Sequence, residues 1–154
     1  NNGCTAWIDW NIALDTNGGP NHAGNYCDAP VLVDTQDGKV FYQSSFYYIG
    51  HFSRFITPLS KNIPLRIEGY HTPATADGEM GNTMEATAFV RPDGKKVLVV
   101  MNRTEDDMVF FLDARHSSGQ DKQAENQYTV VIDDDKEKNS FVCPPRGIQT
   151  YIFE

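Results

Sequence analysis

The spacing of apolar residues changes near Ile63, from the 3.6-residue period of a helix to the 2-residue period of a strand. Before that point one apolar stripe follows Ser44 and Ser45, either of which can cap a helix, and Pro58 ends it. The stripe consists of Tyr48, Ile49, Phe52, Phe55 and Ile56, which predicts a helix over residues 45–56 with this face buried. A change of period within one chain predicts two regions, a helical one followed by a sheet.

After Ile63 the pattern predicts about seven strands, with turns spaced as in an antiparallel β-sandwich. Arg91-Pro92-Asp93-Gly94 is a hairpin turn, residues 72–82 a polar loop and residues 133–138 a charged hairpin tip. The predicted strands are residues 64–70, 84–90, 96–102, 108–113, 127–132, 140–143 and 147–153. The predicted core is Val97, Val99, Met101, Phe110, Leu112, Val130, Ile132, Ile148 and Ile152.

Residues 1–60 predict a strand, a long loop and a helix. Residues 5–9 are expected to form a buried strand, residues 30–34 are extended, and Asp37-Gly38 marks a turn. A strand, a loop and a helix make one βα unit, which cannot stand alone because its apolar faces need a second layer. The predicted domains are therefore residues 1–60 and residues 61–154, the β-sandwich.

Charge and composition exclude several partners. The net charge is −8 and no basic cluster is longer than Lys95-Lys96, which argues against nucleic acid and anionic membrane surfaces. No apolar run approaches the roughly 18 residues of a membrane-spanning helix. The four histidines lack metal-ligand spacing, so no metal and no other cofactor is expected.

Three cysteines, Cys4, Cys27 and Cys143, form no C-x-x-C motif. A bridge between Cys4 and Cys27 is one interpretation, and buried free thiols are the favoured one. Asn102-Arg103-Thr104 is a glycosylation sequon, which matters only in a secretory host.

The stretch Ala6-Trp7-Ile8-Asp9-Trp10-Asn11, followed by a glycine-rich loop at residues 15–21, has the residue types that suit a sugar. A tryptophan ring stacks on the C–H face of a sugar, and an asparagine amide bonds its hydroxyl groups. Trp10, at the expected end of the strand, is better placed than Trp7 to line a pocket mouth. The alternative is that the tryptophans belong to a core or interface and that Asp9 caps the chain or pairs with an arginine outside this sequence.

No catalytic carboxylate pair is predicted in this chain. A retaining glycosidase needs two carboxyl groups about 5–5.5 Å apart. The seven glutamates all lie in the β-rich part or its turns, and none follows an asparagine at the end of a barrel-type strand. A solvated surface is the ordinary explanation for them.

Three segments carry a specific resemblance: Trp7-Ile8-Asp9-Trp10-Asn11-Ile12-Ala13-Leu14-Asp15, Gly18-Gly19-Pro20-Asn21 and Asp28-Ala29-Pro30-Val31-Leu32-Val33-Asp34. With residues 41–43, 46–56, 97–103 and 149–151 they resemble glycoside hydrolase family 30, in particular its glucosylceramidase branch. The resemblance covers nearly the whole chain and holds only in pattern over residues 70–85 and 113–140. It implies a (β/α)8 barrel with a β-sandwich side domain. Residues 1–60 would be the eighth barrel strand, its active-site loop and the last helix.

The resemblance also implies roles for individual residues. Trp10 matches a tryptophan that walls the sugar subsite, Asn25 matches an asparagine that lines the same pocket, and Asp9 matches a buried aspartate nearby. His22 stands where relatives often have a tryptophan, so the aglycone side of the pocket is expected to differ. The family's glutamate acid/base and glutamate nucleophile lie on earlier barrel strands, and both are expected outside this chain.

Three functions follow as hypotheses. The first is the C-terminal part of a retaining β-glycosidase that acts on a β-glucoside or a glycolipid, with the rest of the barrel as its partner. The second is a non-catalytic β-sandwich module that binds carbohydrate or another protein, and the third is a β-1,6-glucanase or xylan-active branch of the same family. The compartment stays open, with a secreted, periplasmic or lysosomal-type one favoured over the cytoplasm.

Overall fold

The computed structural model describes residues 3–69, 84–113, 128–132 and 140–154. They divide into two compact units, a first that ends at Arg54 and a second that begins at Phe55. The predicted loop at residues 72–82 and the predicted tip at residues 133–138 lie outside the described residues. The domain boundary expected at residue 60 stays a prediction.

The first unit is a small three-stranded sheet followed by one helix. Its strands are β1 (Ala13–Asp15), β2 (Val31–Val33) and β3 (Val40–Tyr42), in the order β1-β2-β3, and its helix is α1 (Ser44–Ser53). β1 pairs with β2 in parallel, whereas β2 and β3 form an antiparallel hairpin. The turn of that hairpin confirms the predicted one, since Gly38 has a φ of 68° there.

The predicted buried strand at residues 5–9 is wrong for this chain. Residues 3–9 form neither helix nor strand, and the side chains of Trp7 and Ile8 are 75% and 93% exposed. A strand exists only through hydrogen bonds to a neighbour, and no described strand pairs with this segment. The first strand, β1, instead lies in a segment that the sequence predicted to be loop.

Helix α1 confirms the predicted start but not the predicted burial. It begins at Ser44 and ends at Ser53, three residues before the predicted end, with the N–H of Arg54 donating to the carbonyl of Gly50 at 3.1 Å. None of its residues is buried, and Phe52 is 42% exposed. A helical stripe is buried only where a second layer covers it, and strands of three residues provide little such area.

The second unit is a β-sandwich of two four-stranded sheets, as the sequence predicted. One sheet has the order β10-β8-β9-β5 and the other the order β11-β7-β6-β4. The strands are β4 (Lys61–Ile63), β5 (Leu65–Gly69), β6 (Met84–Val90), β7 (Lys96–Asn102), β8 (Met108–Asp113), β9 (Tyr128–Ile132), β10 (Phe141–Cys143) and β11 (Ile148–Phe153).

The chain changes sheet at Pro64, which separates β4 from β5. Proline has no N–H group to continue a ladder, so β4 ends before it and β5 begins after it. The sequence predicted one strand over residues 64–70, which corresponds to β5, and did not predict β4. β5 then pairs in parallel with β9, whereas the other pairs of the two sandwich sheets are antiparallel among the described strands. The antiparallel sandwich therefore contains one parallel edge pair.

The core lies between the two sheets of the second unit. Its buried cluster is Ile63, Met84, Ala86, Ala88, Leu98, Val100, Met108, Phe110 and Cys143. Aromatic contacts join the sheets at one side of this cluster, since the ring centroid of Phe141 lies 5.4 Å from that of Phe110 and 4.6 Å from that of Tyr151. The core is therefore closed by strands from both sheets.

The predicted core is confirmed in part. Phe110 belongs to the buried cluster, Met101, Leu112 and Ile148 are half-buried, and the side chains of Val130 and Ile132 lie outside the described residues. Val97 and Val99 are buried, but they alternate with the cluster residues Leu98 and Val100 and so lie on the opposite face of β7. Ile152 was predicted wrongly, because it is 45% exposed. Tyr151 pairs with Leu98 and packs against the core, so alternation along β11 turns Ile152 to the opposite face.

Candidate functional site

A tightly closed loop connects β1 to β2 in the first unit. The carbonyl of Asp15 accepts the N–H of Gly18 at 2.9 Å, and the N–H of Asp15 donates to the carbonyl of Gly19 at 2.6 Å. The carboxylate oxygen Oδ1 of Asp15 accepts the N–H groups of Asn17 and Gly19 at 2.8 and 2.9 Å. Asp15 therefore fixes the first turn of the loop with both its backbone and its side chain.

Gly18 joins the two sides of the loop. Its carbonyl accepts the N–H of Cys27 at 3.1 Å, and its φ is 85°. A Cβ atom at this position would lie 2.5 Å from the carbonyl oxygen of Cys27. Both the left-handed backbone and the close approach require glycine here.

The loop lines an open cavity of about 560 Å³ within the first unit. Its lining is Asp15, Asn17, Gly19, Pro20, Asn21 and Tyr26. The lining combines one carboxylate, two amides and one aromatic ring, and Tyr26 is 69% exposed. The cavity is thus polar and open to solvent, with an aromatic surface on one side.

The three residues predicted to bind sugar lie on two separate segments. Trp10 is 76% exposed and lies in no strand. Its backbone N–H donates to Oδ1 of Asp9 at 2.9 Å. The N–H of Asn25 donates to Oδ1 of Asn21 at 3.1 Å, at one end of the cavity lining. Among the described residues no hydrogen bond joins the side chains of Trp10, Asp9 and Asn25, so their roles stay predictions.

The sequence indicated the glycine-rich loop but not the side chains that build the cavity. Asp15, Asn17, Asn21 and Tyr26 were not predicted as site residues. The pattern Asp15-x-Asn17-Gly18 could have found the first turn, because an aspartate two residues before an N–H group is typical of an Asx-turn. Tyr26 has no such local signal, since only the closure of the loop at Cys27 brings it to the cavity.

The described glutamates lie in the second unit, where each forms an ion pair with a basic side chain. Oε1 of Glu85 lies 2.8 Å from Arg103, and Oε1 of Glu105 lies 2.9 Å from Nε of Arg146. Glu68 and Glu154 pair with Arg66 and Lys95. Among these four glutamates the structure therefore offers no acid/base pair facing a cavity.

All three cysteines are free thiols, so the bridge between Cys4 and Cys27 is absent. Cys143 is buried as predicted, whereas Cys4 is exposed and Cys27 is half-buried. Burial raises the pKa of the Cys143 thiol, and a hydrogen bond with the backbone of Asn102 opposes that shift. Within the described ranges no group of three or more His, Cys, Asp or Glu residues could hold a metal ion.

Asn102, the first residue of the sequon, is a structural residue in the second unit. It is 1% exposed, and its Nδ2 group donates to the carbonyls of Asp106, Cys143 and Pro144 at 2.7, 3.0 and 3.0 Å. Its Oδ1 accepts the N–H of Thr104 at 2.8 Å. The folded chain therefore uses this amide internally and does not present it for glycosylation.

Family models match both units of the chain. The glycosyl hydrolase family 30 TIM-barrel domain matches residues 1–56, and the glycosyl hydrolase family 30 beta sandwich domain matches residues 73–151. The chain belongs to glycosyl hydrolase family 30. The family 30 sandwich accounts for the two sheets of the second unit.

Sequence relatives in family 30 are glucosylceramidases. The chain is 39% identical over 104 residues to the lysosomal acid glucosylceramidase of Mus musculus, a match that covers 68% of this chain and 18% of the mouse protein. It is 32% identical over 157 residues to the putative glucosylceramidase 1 of Caenorhabditis elegans, which covers 100% of this chain and 25% of the worm protein. The family 30 chain thus spans a quarter or less of the length of these relatives.

Two solved structures share the fold. The crystal structure of SrfJ from Salmonella typhimurium aligns over 99% of this chain and 27% of its own, with a TM-score of 0.66 and 32% identity. The endo-beta1,6-glucanase BT3312 aligns over 93% of this chain and 25% of its own, with a TM-score of 0.58 and 22% identity, a likeness that concerns the fold alone. In the described part of this family 30 chain no helix is long and apolar enough to cross a membrane.

Proposed function

We propose that this chain is part of a retaining β-glycosidase that hydrolyses β-glucosides or glucosylated lipids. The observation that carries the proposal is the match of residues 1–56 to the barrel domain of family 30, in a chain whose relatives are glucosylceramidases. The catalytic glutamate pair would come from the rest of the barrel, because the described glutamates are paired on the sandwich.

The rest of the barrel is the proposed partner of the first unit. Trp7, Ile8, Trp10 and Ile12 are all more than two-thirds exposed, at 75%, 93%, 76% and 83%. Apolar side chains clustered in one segment of a folded protein are expected to meet a partner surface.

Within that barrel, Trp10, Asn25 and Asp9 are the proposed sugar-binding residues. Trp10 would stack its ring on the glucosyl unit, since the family resemblance matches it to the tryptophan that walls the sugar subsite. Asn25 would bond the sugar hydroxyls from the loop, and Asp9 would position Trp10, whose N–H it already accepts. A non-catalytic sandwich module is disfavoured, because such a module has no use for residues 1–56 of a barrel.

Trp10→Ala in the complete protein tests the sugar platform. We expect kcat/KM on an aryl β-glucoside to fall about ten- to a hundredfold, because a stacking contact of this kind is worth about 1–3 kcal/mol by analogy with base stacking. The Tm should move little. Trp7→Ala is the matched control, since Trp7 is equally exposed in this chain and is not one of the proposed sugar-binding residues.

The opposite pattern would end the assignment. If Trp10→Ala lowers the Tm sharply while the remaining folded protein keeps normal kcat/KM, Trp10 is a core residue. A second measurement tests where the chemistry lies: the isolated 154-residue chain should not hydrolyse the aryl β-glucoside. Turnover by the isolated chain at the rate of a full-length relative would place a carboxylate pair inside these residues.

A further inference from the structure

The turn after β1 contains an asparagine followed by a glycine, Asn17-Gly18. In such a pair the backbone nitrogen of the glycine can attack the side-chain amide carbon of the asparagine, because glycine has no side chain to obstruct the approach. Asn17 is exposed, and within the part of the chain that the structure describes no hydrogen bond holds its side-chain amide. The two reacting groups are therefore adjacent and accessible to water.

The reaction that joins these groups is spontaneous deamidation, and it needs only water. A bond forms between the backbone nitrogen of Gly18 and Cγ of Asn17. The bond from Cγ to Nδ2 breaks, and ammonia leaves with the proton of the Gly18 amide. Water then opens the resulting succinimide ring at either of its carbonyl groups, which produces aspartate or isoaspartate at position 17.

The folded loop holds the attacking nitrogen in a closed turn. The N–H of Gly18 donates to the carbonyl of Asp15 at 2.9 Å, and the N–H of Asn17 donates to Oδ1 of Asp15 at 2.8 Å. The carbonyl of Gly18 accepts the N–H of Cys27 at 3.1 Å. These bonds fix the backbone on both sides of the peptide bond between Asn17 and Gly18. Ring closure requires rotation of this backbone and loss of the Gly18 proton, so the turn has to open first.

We propose that Asn17 is a deamidation site whose reactivity is controlled by the turn of Asp15. The closed turn keeps the reaction slow, and an open turn lets it proceed as in an unfolded chain. Either product places a second carboxylate beside Asp15, where like charges repel. Isoaspartate also adds a methylene group to the backbone between the two N–H groups, of Asn17 and Gly19, that Asp15 binds. Both products therefore oppose closure, and one modification alters the loop permanently.

Mass spectrometry of proteolytic peptides measures the deamidation rate at Asn17 in the complete protein. We expect the rate to be at least about tenfold lower in the folded protein than in urea, the factor that corresponds to one hydrogen bond to a charged group. The chain contains a second Asn-Gly pair, Asn2-Gly3, which is the internal reference in urea. Without folded structure the two pairs should react at similar rates.

Substitutions of Asp15 test the control by the turn. Asp15→Ala removes the acceptor of the N–H groups of Asn17 and Gly19, so the rate at Asn17 in the folded protein should rise about tenfold. Asp15→Asn keeps a neutral oxygen as acceptor and should raise the rate by a smaller factor.

Asp34→Ala is the matched control in the same unit. Oδ1 of Asp34 accepts the N–H groups of Gln36 and Asp37 at 2.9 and 3.2 Å, so it fixes a turn in the same way. Its loss should leave the deamidation rate at Asn17 unchanged, because Asp34 does not bind the loop of Asn17.

An increase confined to the Asp15 variants, larger for alanine than for asparagine, supports the proposal. Equal rates at Asn17 in the folded protein and in urea overturn it, because the turn then gives no control. An unchanged rate in Asp15→Ala overturns it as well. If Asp15→Ala and Asp34→Ala raise the rate by the same factor, the whole first unit has loosened, and control by the Asp15 turn is again excluded.

Discussion

The two units of this chain differ in how far their large apolar side chains are buried. Of the fourteen exposed large hydrophobic side chains in the described residues, only Leu59, Val142 and Ile152 follow Arg54, so the other eleven lie in the first unit. The cluster of nine buried core residues lies wholly in the second unit. The first unit is nonetheless not poor in apolar residues, since it contains half of the aromatic residues of the chain.

The difference shows what a self-contained fold requires. In the second unit two sheets face each other, so the apolar face of each strand has an opposite layer from the same chain. In the first unit the sheet has three strands of three residues, and its helix buries no side chain. The apolar pattern of a sequence shows which side chains need to be buried, whereas the surface that buries them has to come from another part of the structure.

The largest expected effect comes from comparing one phenylalanine in each unit. Phe110 is fully buried, so Phe110→Ala should lower the free energy of unfolding by about 3–5 kcal/mol. Phe41 is 48% exposed on β3, so Phe41→Ala in the isolated chain should change it by about 0.5 kcal/mol or less. Denaturant unfolding measures both. Equal losses of unfolding free energy in the two variants would contradict the conclusion that only the second unit has a buried core.

A second prediction concerns the polar interior of the sandwich. Asn102→Ala leaves the carbonyls of Asp106, Cys143 and Pro144 without their donor, which should cost about 1–3 kcal/mol. Asn62→Ala is the control, because exposed Asn62 donates to Ala88 and its loss should cost less than about 1 kcal/mol. A tolerated Asn102→Ala would mean that water satisfies these carbonyls.

A third prediction uses the pH dependence of the second unit. Burial raises the pKa of the Cys143 thiol above its ordinary value of 9.0, so the unfolded chain loses this proton first as the pH rises. The contribution of the Cys143 thiol to the free energy of unfolding is therefore fully present below about pH 9 and is lost as the pH rises further. Cys143→Ala should flatten that decline relative to the unmodified chain, and exposed Cys4→Ala should not. Identical slopes in all three proteins would contradict this assignment.

The smallest expected effect is common to both units. The exposed ion pair of Lys39 and Asp37 lies in the first unit, and that of Arg146 and Glu105 lies in the second. Asp37→Asn and Glu105→Gln should each change the free energy of unfolding by less than about 1 kcal/mol, and less at high salt. A loss above that from either would show that surface charge, and not only burial, separates the two units.

Much of the sandwich was predictable because its strongest signals are local. Strands β6 and β7 have the predicted bounds, and the turn between them is closed by hydrogen bonds between Arg91 and Lys95 and between Gly94 and Arg91. Alternation of side chains and a Pro-Asp-Gly turn act within a few residues, so the sequence contains them completely. The start of helix α1 was predictable for the same reason.

The candidate site was predictable only in outline. The sequence indicated the glycine-rich loop and named Asn25, but the cavity depends on Asp15, which turns its carboxylate back onto Asn17 and Gly19, and on the contact between Gly18 and Cys27. That contact joins residues nine positions apart in sequence. No spacing rule specifies which of many polar loop residues such a closure brings together.

By itself the sequence determined the strands from Met84 to Asn102, the start of helix α1, the sandwich class and the family. Only the tertiary structure decided that Tyr151 and not Ile152 faces the core, that Pro64 transfers the chain between sheets, and that residues 5–9 form no strand here. Hydrophobic period and turn chemistry are properties of neighbouring residues. Burial and strand pairing depend on contacts between segments that are distant in sequence. They are therefore decided by which neighbouring strands or layers the folded protein provides.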